Sequence, residues 1–441
     1  MSDTGAWSEL ASKAEKLDAA DELAALRDRF VLDEVVYLDG NSLGALPANV
    51  PDRVADVVRR QWGRLRIRSW EESGWWTAPE RIGDLIAPLV GAAPGQIVVG
   101  DSTSVNVFKA LVAAVRMARA DGGGTADGGG TASGGSTAAG GTAGDGRGGR
   151  DEILVDATTF PTDGYIARSA ARMTGCTLRP VAPAEVPGAL SDRTAAVLLN
   201  HVDYRTGRLH DLPSLTAAVH AAGAYAVWDL CHSAGALPVG LDEHGVGLAV
   251  GCTYKYLNGG PGSPAYLYVR RELQDRFDSP LPGWNSHAEP FGMRPEYEPV
   301  AGARRGRVGT PDILSMLALE AALEVWDGVR IEAVRAKSLA LTDFFLECVA
   351  AYVPDGRVEC LTPVAHEERG SQVALRCPAP GAGDAVSEAG DVMKRLIGRG
   401  VVGDFRHPDV LRFGFTPLYV GFADAERAAR VLAEVLERGG A

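Results

Sequence analysis

The chain predicts an α/β fold, with a large domain built on a mostly parallel sheet and a smaller α+β domain after it. Three observations carry that expectation. From Ile97 to Val401 short β-branched runs alternate with Ala/Leu-rich helical stretches, the pattern of βα units on one sheet. Near Gly302 the alternation gives way to a long helical stretch and a shorter mixed segment. The 441 residues, 46% hydrophobic and 23% charged, suffice for two or three domain-sized units with a large core.

Taken in order, Trp7 to Phe30 carries Ala, Leu, Glu and Lys at helical spacing and predicts an N-terminal helix. Val35 to Leu38 predicts a short strand, broken by Asp39-Gly40-Asn41-Ser42, and Arg53 to Arg66 a second, amphipathic helix. The strands expected next are Ile97–Val99, Ile153–Val155, Ala196–Leu199, Ala226–Trp228, Leu248–Val250 and Ala265–Val269. A helix follows from Ser315 to Trp326, continuing through Val329 to Ala351, and the last runs from Asp424 to Glu437. The expected organisation is an N-terminal helix and arm over 1–50, a large domain over 51–300 and a small domain over 301–441. Asp121 to Gly149 is nearly all Gly, Ala, Thr, Ser and Asp, without an aromatic or branched aliphatic residue. Such a stretch buries too little apolar surface to offset its ordering entropy, so a disordered, dispensable insertion is expected there.

Composition narrows the partners. A formal net charge of -13 argues against nucleic acid and against anionic membrane surfaces. The six cysteines show no CxxC or paired spacing, so neither a disulfide framework nor a metal site is expected. The first residues lack the basic start and apolar run of a signal peptide, and no apolar stretch approaches membrane-spanning length. A soluble, cytoplasmic protein acting on a small molecule is the expectation.

The chemistry concentrates in two stretches. Ala224 to Gly235 reads as a strand ending in Asp229, with His232 three residues on. Gly251 to Gly262 places Lys255 between Tyr254 and Tyr256, beyond a second strand and ahead of a Gly/Pro turn. Both groups then stand at the carboxyl edge of the sheet, where open α/β sheets bind ligands. A strand-end aspartate followed some two dozen residues later by a strand-end lysine suits pyridoxal 5'-phosphate. The lysine carries the aldehyde as a Schiff base, and the aspartate keeps the pyridine nitrogen protonated. Each residue alone has a plainer reading, as a solvated lysine or a helix-capping aspartate; the order and the strand-end placement favour the cofactor.

These stretches, with Tyr37-Leu38-Asp39-Gly40-Asn41-Ser42-Leu43-Gly44, Asp101 to Asn106, Phe160-Pro161-Thr162-Asp163, Gly309-Thr310-Pro311 and Leu411 to Tyr419, resemble the kynureninase family over roughly Tyr37 to Ala429, the Gly-rich segment excepted. The resemblance implies a fold-type-I pyridoxal phosphate enzyme of the aspartate aminotransferase superfamily. It also implies a homodimer and hydrolysis of the Cβ–Cγ bond of L-kynurenine to anthranilate and L-alanine. By motif, Lys255 resembles the Schiff-base lysine, Asp229 the partner of the pyridine nitrogen and Tyr254 a proton carrier that also contacts phosphate. Phe160 resembles the ring-stacking aromatic, with Asp163 behind it, and His232 the neighbour of the ring's 3-oxygen. Thr103 and Ser104 match the phosphate-binding turn, where helix-start N–H groups suit a dianion. Trp284 and Thr310 resemble further cofactor contacts. Arg412 resembles the clamp on the substrate's α-carboxylate, a task for a bidentate guanidinium. A charge in so apolar a strand must be answered by a ligand carboxylate or a buried acid.

One position departs from the family. Gly283-Trp284-Asn285-Ser286-His287 has an amide where a second aromatic usually lines the aryl pocket, opposite Trp70. Asn285 leaves the preferred aryl group open: plain kynurenine, or a ring-substituted form such as 3-hydroxykynurenine in a biosynthetic route. A cysteine desulfurase, a transaminase or a non-catalytic relative of the same fold are the remaining alternatives. Cys348, Cys360 and Cys377 lack the Gly/Ser-rich mobile setting a desulfurase needs, and intact Lys255, Asp229 and Arg412 argue against a silent relative.

Overall fold

The computed structural model describes residues 4–122, 149–377 and 385–437. Its central sheet has seven strands: β1 (Ile97–Val99), β2 (Glu152–Asp156), β3 (Thr177–Val181), β4 (Thr194–Asn200), β5 (Tyr225–Asp229), β6 (Leu248–Gly251) and β7 (Tyr266–Val269). Their spatial order is β1-β7-β6-β5-β4-β2-β3. Strands β3, β2, β4, β5 and β6 run parallel, and β7 lies antiparallel between β6 and β1.

The inner strands read as continuous apolar runs because both faces of the sheet are covered. Alternate residues go to opposite faces. Ile153, Val155, Ala196, Leu198, Val227 and Val250 pack with Val107, Leu111 and Ala114 of the helix Thr103–Gly122. Leu154, Val197, Leu199, Trp228 and Ala249 join the second core, with Leu215, Met316 and Leu319. The edge strand β3 has no such run: it is largely solvent-facing and carries Arg179 and Pro180, which explains why pattern reading does not find it.

A second, antiparallel sheet is formed by β8 (Glu359–Cys360), β9 (Gln372–Arg376), β10 (Asp404–Arg406) and β11 (Val410–Gly414), in the order β8-β9-β11-β10. Phe345 of the helix Ile331–Tyr352 packs on Phe413 and Phe415, anchoring this sheet. The strand Val36–Tyr37 pairs with Val401–Val402, so the segment that follows it reaches the edge of both sheets.

Three expected elements need correction. The N-terminal helix spans Thr4–Ala19, not Trp7 to Phe30. The Asp21 carboxylate accepts the Leu23 N–H at 2.9 Å and pairs with Lys337 at 2.6 Å, starting a turn before the short 3-10 segment Ala24–Arg29. The second helix starts at Val50 and widens to a π-helix over Val57–Leu65, where the Gln61 carbonyl accepts both the Arg66 N–H and, at 2.7 Å, the Ser69 hydroxyl. The long C-terminal run is two helices, Ile313–Leu323 and Ile331–Tyr352, separated by Gly328 at φ 74°, a left-handed turn that glycine makes at no steric cost. Of the Gly-rich segment, 123–148 lies outside the described residues. Asp121 and Gly122 close the helix Thr103–Gly122, and Asp121 accepts the Tyr225 hydroxyl at 2.7 Å and pairs with Arg276. Among the described residues no helix is long and apolar enough to cross a membrane.

Candidate active site

Beyond the end of β6 the chain carries Thr253, Tyr254 and Lys255 across the carboxyl edge of the sheet. The Thr253 hydroxyl donates to the Pro264 carbonyl at 2.6 Å, and the Asn258 N–H, at φ 56°, donates to the Lys255 carbonyl at 2.9 Å. From the other side Gly44 donates its N–H to the Tyr254 carbonyl at 2.8 Å. A Cβ at Gly44 would stand 2.3 Å from the Lys255 carbonyl oxygen, so only glycine allows this approach. The lysine backbone is thus clamped by local turns and by the N-terminal arm.

The Lys255 amine reaches inward to 3.0 Å from Nε2 of His232. His232 is buried. Burial, then the nearby Lys255 charge, holds its imidazole well below the usual range, so it is neutral. At the end of β5, Asp229 accepts the Cys231 N–H at 2.7 Å through Oδ1 and the Asn200 amide at 3.0 Å through Oδ2. The same amide donates to Asp163 at 3.2 Å, and the Thr159 hydroxyl fixes its carbonyl at 2.5 Å. Burial, followed by the charge of Asp229, pushes the Asp163 carboxyl well above the ordinary range. Two carboxyls bonded to one amide in so dry a place disfavour a second negative charge, and Asp163 is the one pushed toward its protonated form.

A cavity of about 250 Å³ opens above these groups. Thr103 and Ser104, in the first turn of the helix Thr103–Gly122, form one wall. Phe160, immediately before the helix Pro161–Thr174, overhangs the cavity and meets Tyr204 edge-on at 5.2 Å. Tyr254 lines it beside Lys255; the charge on Cys252, then burial, raises its phenol well above the ordinary range.

Arg406 and Arg412 close the far side. Arg412, buried in β11, donates through Nε to Asp404 Oδ1 at 2.8 Å and through Nη2 to the second oxygen of Asp404. It also donates to the Tyr204 carbonyl at 2.6 Å and to the Ser42 hydroxyl at 2.9 Å. The buried acid that such an arginine requires is therefore Asp404, which also accepts from Arg406 at 2.7 Å.

Sequence reading missed Asn200, Tyr204, Ser42, Asp404 and Arg406. Asn41-Ser42 is visible as a strand break and within a block of the family resemblance, without a role of its own, and Asp404 only as an acid two residues from Arg406 in a short strand. Four expected site residues stand apart from this cavity in the single chain. Thr310 lines a separate cavity of about 160 Å³ with Asp101, Lys109 and Arg307. Trp284, 39% exposed, sits among Trp70, Trp76 and Phe291, with ring centroids 5.8 to 6.3 Å from its own. Asn285 lines the same cavity as Thr310. It is buried, accepts from Arg307 at 3.1 Å and donates to the Gly309 carbonyl at 3.1 Å. A groove of about 1050 Å³ around His201 and His210 holds none of these groups.

A strand-end aspartate, a strand-end lysine and a helix-start hydroxyl pair around one cavity define a pyridoxal phosphate enzyme of the class-V aminotransferase fold. Residues 129–379 match the family model described as aminotransferase class-V, and 334–432 match that of the kynureninase C-terminal domain. The chain is 45% identical to a kynureninase of Deinococcus radiodurans, covering 97% of this chain and 96% of the relative. It is 44% identical to a kynureninase of Pseudomonas fluorescens, over 96% and 94%. A cysteine desulfurase from Escherichia coli superposes with a TM-score of 0.73 at 19% identity, over 95% and 99% of the two chains; that likeness concerns the fold. The chain belongs to the kynureninase family.

Proposed function

We propose that this chain hydrolyses the Cβ–Cγ bond of L-kynurenine, giving anthranilate and L-alanine, with pyridoxal 5'-phosphate held in the Lys255 cavity. The observation that carries the reading is the placement of Lys255 against neutral His232 with Asp229 braced by Asn200, all on one sheet edge. The donor set fits the cofactor: an amine for its aldehyde, an acid for its ring nitrogen, a helix start with two hydroxyls for its phosphate, and the Phe160 face for its ring. When bound, the cofactor supplies an electron sink for charge that develops at the substrate's α and β carbons.

The residues divide the remaining work. Lys255 would hold the cofactor's aldehyde, and as a free amine it is the base placed to take the α-proton and return it. Neutral His232 accepts from Lys255 and so keeps that amine aimed into the cavity. Asp229 would hold the ring-nitrogen proton, and Asp163, pushed toward its protonated form and linked to Asp229 through the Asn200 amide, limits the negative charge of the pair. Arg412, already engaged by Asp404, has one Nη1 N–H to offer a substrate carboxylate, and Arg406 stands ready beside it. Tyr254 is a neutral proton carrier at the cavity wall.

Trp284, Thr310 and Trp70 belong to this site through a second copy of the chain in a homodimer. The exposed Trp284, Phe291 and Met293, at 39%, 72% and 83%, support that arrangement. A cytoplasmic enzyme is the matching setting. The test is a product assay on kynurenine beside its ring-substituted analogues. Anthranilate and alanine in equal amounts support the reading, and absence of both from the cofactor-loaded enzyme overturns it.

A further inference from the structure

Two thiols on adjacent strand ends lie at the floor of the cavity. Cys231 follows Asp229 by two residues and lines the cavity; Cys252 follows Val250 by two and is buried. Asp229 and Val250 are register partners in the parallel pair β5–β6, and each cysteine lies two residues further on, Cys231 in the turn that follows β5. Their side chains confirm the proximity. The Cys252 N–H donates to Cys231 Sγ at 3.2 Å, and the Cys252 thiol reaches the Cys231 carbonyl at 3.7 Å. Cys231 Sγ also lies 3.7 Å from the Thr103 hydroxyl, which ties the pair to the helix start assigned to phosphate.

We propose that Cys231 and Cys252 form an oxidisable dithiol in the cofactor site, converted by a hydroperoxide to an intrachain disulfide that weakens cofactor binding. The inference rests on the pyridoxal phosphate reading of the cavity. The Cys252 sulfur, whose thiol lies below its ordinary value because the burial that would raise it is outweighed by Cys231 and the Lys255 charge, attacks the peroxide as its thiolate. The O–O bond breaks, one oxygen leaves with the thiol proton as an alcohol or water, and sulfur keeps the other as a sulfenic acid. The Cys231 sulfur then displaces that hydroxyl, which departs as water with the second thiol proton. Two sulfurs lose two electrons in all, and the peroxide takes both. Forming the bond draws Cys231 Sγ away from Thr103 and removes it as the acceptor of the Cys252 N–H, so the cofactor loses a set position in its phosphate turn. Neither half of the pair has the CxxC spacing that sequence inspection seeks, because the contact is made across strands 21 residues apart.

The experiment uses hydrogen peroxide as the probe on the full chain, freed of cofactor and then titrated with pyridoxal 5'-phosphate. Non-reducing peptide mapping should recover a single cross-link between the Cys231 and Cys252 peptides, with a mass two hydrogens below the reduced pair. Cofactor affinity should fall by roughly fivefold or more, the scale of one or two lost hydrogen bonds, and return on treatment with dithiothreitol. Cys231→Ala and Cys252→Ser should each abolish both the cross-link and the peroxide-induced loss of affinity. Absence of that cross-link while exposed Cys360 is oxidised overturns the proposal, as does a cross-link that leaves affinity unchanged. Failure of the reduced chain to bind the cofactor at all would instead overturn the reading of the cavity, which the peptide map leaves distinguishable.

Discussion

The Lys255 amine and Nε2 of His232 stand 3.0 Å apart, which joins the ends of two parallel strands through their working side chains. Because burial and the Lys255 charge keep His232 neutral, its ring accepts from the amine and does not repel it. The lysine is held in place by an acceptor that carries no competing charge.

Replacing Lys255 with Ala removes both the group that bonds the cofactor aldehyde and the base for the α-proton. Turnover should fall by more than about a thousandfold, given that covalent and proton-transfer roles vanish together. The fold and noncovalent cofactor binding should survive, since Thr103, Ser104, Phe160 and Asp229 are untouched. Borohydride should fix cofactor to the parent and not to the variant. Turnover within tenfold of the parent would remove Lys255 from the chemistry.

The two buried acids should respond unequally to the same change. Asp229→Asn replaces the charged member of the pair and should lower kcat by about a hundredfold or more, because the ring nitrogen loses the ion pair that keeps its proton. Asp163→Asn replaces a carboxyl that is already neutral with a neutral amide, so its loss should stay within about tenfold. Measuring kcat for both variants decides the matter. Equal damage would mean that the proton is not held on Asp163.

Most of the fold and the centre of the site were legible because their signals are local. Runs such as Ala196–Leu199 and Leu248–Val250 are apolar on both faces, and Lys255 and Asp229 sit directly at the ends of such runs. What stayed hidden depends on tertiary contact. The edge strand Thr177–Val181 has no core pattern to read, and Asp404 reveals itself only once β10 pairs with β11 and sets its register partner Arg412 opposite. Gly328 is an ordinary glycine in the sequence, and only its left-handed backbone shows that the long helix ends there. Family resemblance placed Asn285 by position alone, whereas its orientation is decided by Arg307, 22 residues away.

Arg412→Lys should raise KM for the amino acid by roughly tenfold or more while kcat changes less, since a point charge cannot serve Asp404 and a substrate carboxylate together. The guanidinium divides its donors among Asp404, Tyr204 and Ser42, and an ammonium has too few to go round. The near-visible absorbance of the cofactor-loaded enzyme should not move. A KM close to the parent's would show that Arg406, or another group, holds the carboxylate.

Asp39 gives the site a pH-dependent cost. Burial, and then the charge of Asp404, push its carboxyl up to about 6, against the ordinary 3.8. Between those values the folded chain binds more protons than the unfolded chain, so stability falls as pH rises through the window from about 4 to about 6 and stays lowered above it. Asp39→Asn should remove that cost. Its Tm should exceed the parent's at pH 8, by the equivalent of roughly 1–2 kcal/mol after allowing for partial solvation, and match it near pH 4. A Tm difference that is constant with pH would exclude a titrating Asp39.

Asn285→Phe tests whether the one departure from the family pattern concerns substrate or scaffold. In the structure the amide is enclosed: its oxygen takes an N–H of buried Arg307, and its nitrogen donates to the Gly309 carbonyl. Arg307 itself pairs with Glu80 and lies 5.7 Å from the centre of the Trp76 ring. Burial lowers its guanidinium to about 10, so each acceptor it has matters to keeping its charge. A phenyl group at 285 would leave one Arg307 donor and one backbone carbonyl unpaired, at about 1–3 kcal/mol apiece. The expected outcome is a clear drop in Tm with no change in the ratio of kcat/KM for kynurenine over 3-hydroxykynurenine. Asn285→Ala, which adds no bulk, should reproduce a smaller drop and the same ratio. A shift of that ratio in both variants, with Tm unchanged, would return Asn285 to the aryl pocket.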